Sequence, residues 1–188
     1  MPREKQWSVG TPDLEGRREE LEERVIEVGR ISRTVAGGKR MRFRALVIVG
    51  DRKGRVGMSL GKALEVSGAI AKATSKAKKA MINIPILGGT IPFETEATYG
   101  SAHVLLKPAV PGTSIIAGGA VRTIMELGGV ENVVSKMLGA PNRLNNARAT
   151  FLALEHLHRK WSEKQEKRQR QQSEDGKAGK KEKTHEAS

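Results

Sequence analysis

The chain has 188 residues and a formal net charge of +13, from 34 lysines and arginines against 21 aspartates and glutamates. It contains no cysteine, which excludes disulfides, thiolate metal sites and cysteine nucleophiles. The sequence has neither an apolar run of membrane-spanning length nor the apolar core of a signal peptide. We therefore expect a basic, cytoplasmic protein with no membrane partner.

The positive charge is concentrated in one segment. Residues 24–79 hold 15 basic and 3 acidic residues, a net charge of +12, whereas residues 80–158 hold 5 of each and are neutral. Positive charges this concentrated repel one another and oppose folding unless a bound polyanion neutralises part of the charge. Because the segment is strand-like rather than an amphipathic basic helix, a nucleic acid is favoured over membrane lipid.

The predicted fold class is α+β. Changes in composition along the sequence divide the chain into four parts. Residues 1–20 are predicted to be a disordered extension, and residues 21–84 and 85–160 to be two domains that meet near Ile84–Gly89. Residues 161–188 are predicted to be a disordered basic tail, because no apolar residue larger than alanine follows Trp161.

Three antiparallel strands and one helix are predicted for the first domain. A strand over residues 24–35 and a turn at Gly37-Gly38 lead to a second strand over residues 40–50, and the turn Asp51–Gly54 leads to a third. The helix is predicted over residues 63–82. Alternation assigns the side chains to two faces. The predicted core face carries Met41, Phe43, Ala45, Val47, Val49, Val56, Met58 and Leu60, and the predicted outer face carries Arg40, Arg42, Arg44, Gly57, Ser59 and Gly61.

The second domain is predicted to mix strands and helices. Strands are predicted over residues 97–99, 103–107 and 130–134. A helix is predicted to open within residues 111–120 and to end at Gly128-Gly129, and a last helix is predicted from about Asn145. This order corresponds to an α/β sandwich.

Basic side chains, a glycine-rich turn and glycines on the third strand predict one nucleic-acid surface. Arginine forks match phosphate oxygens, and glycines allow a backbone to approach closely. Aromatic side chains are almost absent from this face, which disfavours readout of single strands by stacking. The alternative is a solvated outer face. The candidate RNA-binding residues are Arg30, Arg33, Gly37, Gly38, Lys39, Arg40, Arg42, Arg44, Arg52, Lys53, Arg55, Gly57, Gly61 and Lys62.

A glycine-rich turn before a helix, Pro111–Arg122, raises an enzymatic alternative. Such a turn can bind an anion at the helix N-terminus, and this one is faintly similar to the phosphate loop of galactokinase-like small-molecule kinases. No acidic catalytic partner or nucleophile–base pair accompanies it, and Gly57–Lys62 lacks the Walker spacing. His156 and His158 lie two apart on a helix and so on different faces. We therefore expect no enzyme, cofactor or metal.

Several motifs together carry a resemblance to a known family. The segment GDRKGRVGMSLGKALEV (residues 50–66), the segment IIAGGAVR (residues 115–122) and the set Asn145, Arg148, Ala149, Thr150 resemble bacterial small-subunit ribosomal protein five. The resemblance runs from about Glu22 to Leu157. It implies an N-terminal domain similar to double-stranded-RNA-binding domains, with a three-stranded sheet plus a helix. It also implies a C-terminal two-layer α/β sandwich with the left-handed β-α-β crossover of the kinases named above.

The resemblance also implies a function. The protein would bind small-subunit ribosomal RNA at the head–body junction, contact small-subunit ribosomal proteins four and eight near the messenger entry, and influence translational accuracy, without forming a homo-oligomer. The hairpin loop over residues 35–40 would reach toward the head. The surface facing protein four maps onto Ser114, Gly118, Gly119 and Arg122.

This chain departs from the family pattern at several positions. Met58 and Leu60 stand where aromatics are frequent, Ser114 replaces a glycine, and Asn146 and Ala147 replace two valines. Two alternatives to a ribosomal protein are considered: a free-standing double-stranded RNA chaperone and, more distantly, the small-molecule kinase.

Overall fold

The computed structural model describes residues 21–185, with side chains as far as Arg168. The predicted disordered extension over residues 1–20 lies outside the described residues, as do residues 186–188. The described residues form two four-stranded sheets, each packed against helices, so the predicted α+β class is confirmed.

The first sheet is antiparallel, in the order β1-β2-β3-β4. Its elements are β1 (Glu22–Val35), β2 (Gly38–Gly50), β3 (Arg55–Ala63), α1 (Val66–Lys79) and β4 (Met81–Asn83). The prediction of three strands missed β4, because the apolar residues Met81 and Ile82 continue the spacing of the preceding helix. Their backbone instead pairs with Gly57 and Val56 of β3.

The strands β1 and β2 extend beyond β3 as a two-stranded hairpin. The pairing of β3 with β2 ends at Phe43, which lies opposite Arg30 of β1, whereas β1 and β2 stay paired as far as Val35 and Gly38. We call residues 30–43 the hairpin ribbon. Its turn is Ala36-Gly37, one residue earlier than predicted, and Gly38, with φ 138°, begins β2.

The helix α1 covers one face of this sheet through alanines. Ala69, Ala73 and Ala77 pack against the β2 residues that were predicted to face the core, Ala45, Val47 and Val49. Gly57 and Gly61 of β3 lie on this same face, so their predicted outward orientation is wrong. A Cβ at Gly57 would lie 2.3 Å from the carbonyl oxygen of Ala77, and one at Gly61 would lie 2.1 Å from that of Ala69. These glycines therefore make room for the helix.

The opposite face of the sheet is also buried, against the second domain. Leu46 and Ile48 of β2 and Val56 of β3 belong to the larger hydrophobic core, which includes Ile124 and Leu127 of the second domain. Met58 and Leu60 pack on that core as well, so the prediction that β3 turns its apolar residues toward α1 is wrong. The two domains share one core.

The second sheet has the order β5-β6-β8-β7, in which β7 and β8 are parallel and the other pairs are antiparallel. Its elements are β5 (Thr95–Tyr99), β6 (Ala102–Pro108), β7 (Ile115–Ile116), α2 (Gly119–Gly128), β8 (Val133–Met137) and α3 (Arg143–His185). The connection β7-α2-β8 is a β-α-β unit; its left-handedness and the likeness of the first domain to double-stranded-RNA-binding domains stay predictions. The helix α2 ends at Gly129, in the left-handed conformation with φ 79°.

The last helix continues past the predicted domain end. It runs unbroken to His185, so the boundary predicted at Trp161 does not coincide with an end of structure. The ring of Trp161 lies 5.9 Å from that of Phe93, and the Nζ of Lys164 lies 4.6 Å from the centre of the Phe93 ring. No helix within residues 21–185 is long and apolar enough to cross a membrane.

Candidate nucleic-acid interface

The structure separates the predicted RNA-binding residues into two groups at opposite ends of β2. The 13 residues of β2 span about 40 Å at the usual rise per residue. Arg52, Lys53 and Arg55 lie at the β2–β3 turn, at one end. The other basic candidates lie on the hairpin ribbon or beside its base, at the other end: Arg30, Arg33, Lys39, Arg40, Arg42, Arg44 and Lys62.

The strand register distributes the ribbon's basic residues over two faces. Arg33 lies directly opposite Arg40, and Arg42 lies two residues further along the same face of β2. Arg30 and Lys39 lie on the other face. All five side chains are exposed, and among the described residues no carboxylate forms an ion pair with any of them. The ribbon thus presents uncompensated positive charge.

Arg44, at the base of the ribbon, differs from these residues. Its Nη2 lies 3.0 Å from Oε1 of Glu27, and its guanidinium lies beside the backbone of Gly29, which has no side chain to occupy that space. The charge of Arg44 is therefore largely neutralised, and its side chain connects β2 to Glu27 and Gly29 of β1.

The β2–β3 turn is a joint between the domains. The N–H of Arg52 donates to the carbonyl of Leu127 (2.9 Å), and the N–H of Gly54 donates to that of Gly128 (2.9 Å). A Cβ at Gly129 would lie 2.1 Å from the carbonyl oxygen of Arg52, so only glycine permits this approach.

The two arginines at this joint are also compensated. Arg52 pairs with Glu22 and Arg55 pairs with Asp51, each at 2.8 Å between nitrogen and oxygen. Partial burial raises the pKa of Asp51, but hydrogen bonds from the Arg55 side chain and from the N–H groups of Arg55 and Lys53 outweigh it and hold that pKa below its usual range. Among the described residues, the predicted RNA-binding arginines without an acidic partner therefore all lie on the ribbon.

The predicted protein-contact residues gather before and in the first turn of α2. Ser114 has a positive φ of 64° and its N–H donates to Oδ1 of Asn132 (3.1 Å). Arg122 folds back so that its Nη2 donates to the carbonyl of Ile115 (3.2 Å). Ser114, Gly119 and Arg122 are exposed, whereas Met137 occupies the space beside Gly118.

Sequence reasoning missed Asn132, the residue that shapes this loop. Its buried side-chain oxygen accepts the N–H groups of both Gly112 (3.0 Å) and Ser114. No sequence signal pointed to it, because its partners lie 18 and 20 residues earlier in the chain.

A groove of about 420 Å³ runs beside the N-terminus of α2, between the domains. Ion pairing of Arg24 with Glu126 and a hydrogen bond from Arg143 to the carbonyl of Ile26 (3.3 Å) hold β1 at its edge, and sequence reasoning missed both contacts. Among the described residues that line the groove, none is an aspartate or a glutamate. In the part of the chain that the structure describes, no group of three or more acidic, histidine or cysteine residues could hold a metal ion.

Comparison with known proteins agrees with this two-domain architecture. Residues 21–85 match the family model described as "Ribosomal protein S5, N-terminal domain", and residues 97–168 match "Ribosomal protein S5, C-terminal domain". The chain is also similar to small ribosomal subunit protein uS5c of Spinacia oleracea, with 52% identity over 139 residues, which are 73% of this chain and 45% of that protein. The chain thus spans a little under half the length of this curated relative.

These matches confirm the resemblance found in the sequence, since both halves match domains of one family in the same order. The family is one of structural ribosomal proteins, which agrees with the prediction that the chain is not an enzyme. The chain belongs to the ribosomal protein S5 family.

Proposed function

We propose that the chain is a structural component of the small ribosomal subunit that binds small-subunit ribosomal RNA chiefly through the hairpin ribbon. The observation that carries this proposal is the exposed positive charge of the ribbon, which no described carboxylate neutralises. Guanidinium forks bind phosphate oxygens in a bidentate manner. The two strands project by about 20 Å beyond the three-stranded part of the sheet, at about 3.3 Å per residue, so the ribbon can enter a cleft between RNA helices.

The proposed interface is narrower than the predicted one. Gly57 and Gly61 are covered by α1 and offer no approach to RNA. Arg44, Arg52 and Arg55 each pair with a carboxylate, so they contribute less to RNA affinity than the ribbon arginines. Lys53 and Lys62 are exposed and remain candidates at the two ends of β2. The ribbon residues of the proposed interface are Arg30, Arg33, Gly37, Gly38, Lys39, Arg40 and Arg42.

The family supports a more detailed proposal. In it, the chain lies at the head–body junction near the messenger entry, contacts small-subunit ribosomal proteins four and eight, and contributes to translational accuracy. Ser114, Gly119 and Arg122 are exposed at one edge of the second domain, which suits a contact with a neighbouring protein. Gly118 would act only indirectly, because Met137 covers it.

A sedimentation experiment tests the proposal. Small subunits from cells that express a tagged full-length chain are washed in high salt and pelleted. We expect the wild-type chain to stay with the subunits, because an integral component is held by many contacts, whereas a free-standing RNA chaperone washes off. A wild-type chain found only in the supernatant would contradict the proposal and favour the chaperone.

Two triple variants then test the role of the ribbon. R33Q/R40Q/R42Q removes three charges from the ribbon, and K72Q/K76Q/K79Q removes three from the exposed side of α1. We expect the first variant to be depleted from washed subunits and the second to be retained. Equal depletion of both would show that total charge, rather than the ribbon, determines binding.

A further inference from the structure

The hairpin ribbon places two arginines directly opposite each other. Arg33 of β1 and Arg40 of β2 are register partners, so both side chains leave the same face of the ribbon. The Cβ atoms of such partners lie about 4.5–5.5 Å apart, and like charges in this position destabilise a strand pair. Both side chains are exposed, and no described carboxylate pairs with either.

The arginines of this domain that lie outside the ribbon are compensated by acids. Arg24 pairs with Glu126, Arg44 with Glu27, and Arg52 with Glu22. Among the described residues of this domain, the arginines without an acidic partner all lie in the ribbon, at or beyond the last residue of β2 that pairs with β3. Arg44 and Lys62 are also register partners, but Glu27 lies beside Arg44 and compensates that pair. The pair of Arg33 and Arg40 has no such described carboxylate, which is expected where an external anion occupies the space between the two guanidinium groups.

We infer that Arg33 and Arg40 form a two-armed clamp for one phosphate of an RNA backbone; this inference rests on the proposed function. Each guanidinium donates to different oxygens of the same phosphate, and the shared negative charge removes the repulsion between them. Arg42 lies on the same face about 7 Å further along β2, and its register partner is Ile31 rather than a second arginine. Arg42 therefore binds a separate phosphate by itself.

The neighbours of the pair favour a backbone phosphate over a base. Toward the turn the next partners on this face are Val35 and Gly38, and toward the base of the ribbon they are Ile31 and Arg42. None of these side chains is aromatic, and Phe43 lies on the face that packs against α1. The clamp thus has cations and aliphatic walls, with no platform for stacking.

A double-mutant cycle tests the clamp with the full-length chain and a small-subunit ribosomal RNA transcript. The dissociation constant is measured over a series of KCl concentrations for the wild type, R33Q, R40Q and R33Q/R40Q. We expect each single variant to bind about tenfold more weakly, the loss expected for one charge-assisted hydrogen bond. We expect the double variant to lose about 10- to 20-fold rather than about 100-fold, because either substitution already opens the clamp.

The salt dependence gives an independent count of phosphates. The slope of log affinity against log salt falls by about 0.9 for each phosphate contact removed, so R33Q/R40Q should be shallower by about 0.9. Arg30 and Lys39 provide the comparison, because they lie on the opposite face and are not register partners. Their double variant R30Q/K39Q should show additive losses.

The possible outcomes distinguish failure of the clamp from failure of the proposed function. Additive losses for Arg33 and Arg40 with a slope change of about 1.8, or no loss at all, would overturn the clamp and leave ribosomal RNA binding standing. A wild-type chain that does not bind the transcript would overturn the proposed function itself. Hydrogen exchange of the ribbon amides checks folding. If the glutamine variants lose protection, R33K/R40K retains both charges, and it should then bind more weakly with an unchanged salt slope.

Discussion

Replacing Gly61 by alanine tests whether the glycines of β3 serve the fold or the RNA. A Cβ at this position would lie 2.1 Å from the carbonyl oxygen of Ala69, 2.8 Å from the backbone nitrogen of Ala73 and 3.0 Å from the Cβ of Ala73. These are atoms of a helix backbone and its shortest side chain, so no flexible group can turn away. The whole of α1 must move outward by about an ångström.

That movement weakens the small core beneath α1. The helix contacts the sheet through three buried alanines, which cannot extend to fill a gap. Forcing one methyl group into such a packed contact costs about 1–3 kcal/mol. We therefore expect Gly61→Ala to lower the free energy of unfolding by about 2 kcal/mol, measured as a lower urea midpoint at an unchanged m-value.

Gly68→Ala is the matched control. Gly68 lies within α1, and a Cβ there would approach only Ala63 Cβ, at 3.4 Å, so the change adds helix propensity without a severe collision. We expect it to raise stability by about 0.5–1 kcal/mol. Under native conditions the RNA affinity of both variants should equal that of the wild type. An unchanged urea midpoint for Gly61→Ala, combined with weaker RNA binding, would refute the reasoning and restore Gly61 to the RNA surface.

Three further predictions concern the joint and the second domain. Asp51→Asn should destabilise by about 1–3 kcal/mol in urea unfolding, because Asp51 accepts two backbone N–H groups and the Arg55 guanidinium. Because the folded pKa of Asp51 lies below its usual range, its contribution is present at neutral pH and should fade as the pH falls below about 4, which urea midpoints in acid would show. Glu126→Gln removes a half-exposed pair with Arg24, so we expect a loss of about 0–1 kcal/mol that disappears in high salt; a larger, salt-independent loss would contradict this. Arg122→Leu removes one hydrogen bond of an exposed side chain, so subunit assembly should remain near normal while misreading of a reporter changes; unchanged misreading would contradict the proposed contact.

Local patterns were sufficient to predict much of the fold. The alternation along β2 correctly assigned Ala45, Val47 and Val49 to the face under α1. The glycine pair at residues 128–129 correctly marked the end of α2, because a helix commonly ends in a left-handed residue that glycine adopts at low cost. These features depend on neighbours within a few residues, which is the distance over which periodicity and turn chemistry are informative.

The faces of β3 could not be predicted in the same way. Val56, Met58 and Leu60 alternate with Gly57, Ser59 and Gly61, and the ordinary interpretation places the apolar set inside. Both sides of this strand are covered, however, one by an alanine-faced helix and the other by the second domain. When a sheet is buried on both faces, alternation separates large from small residues rather than inside from outside.

The residues of the candidate interface also differ in whether their surroundings depend on local sequence or on distant residues. The ribbon is defined by its own alternation and turn, so Arg33, Arg40 and Arg42 could be assigned to one surface from sequence. The state of Arg52 depends on Glu22, 30 residues away, and on a backbone contact with Leu127 in the other domain. Amino-acid composition does not distinguish paired arginines from unpaired ones. Only an arginine without a partner in the folded chain can bind a phosphate without first losing an ion pair. Under the proposed function, the arginines of the +12 segment therefore fall into two classes. The unpaired arginines of the ribbon would bind RNA, whereas Arg24, Arg44 and Arg52 form ion pairs within the fold, and contacts distant in sequence determine the class of each arginine.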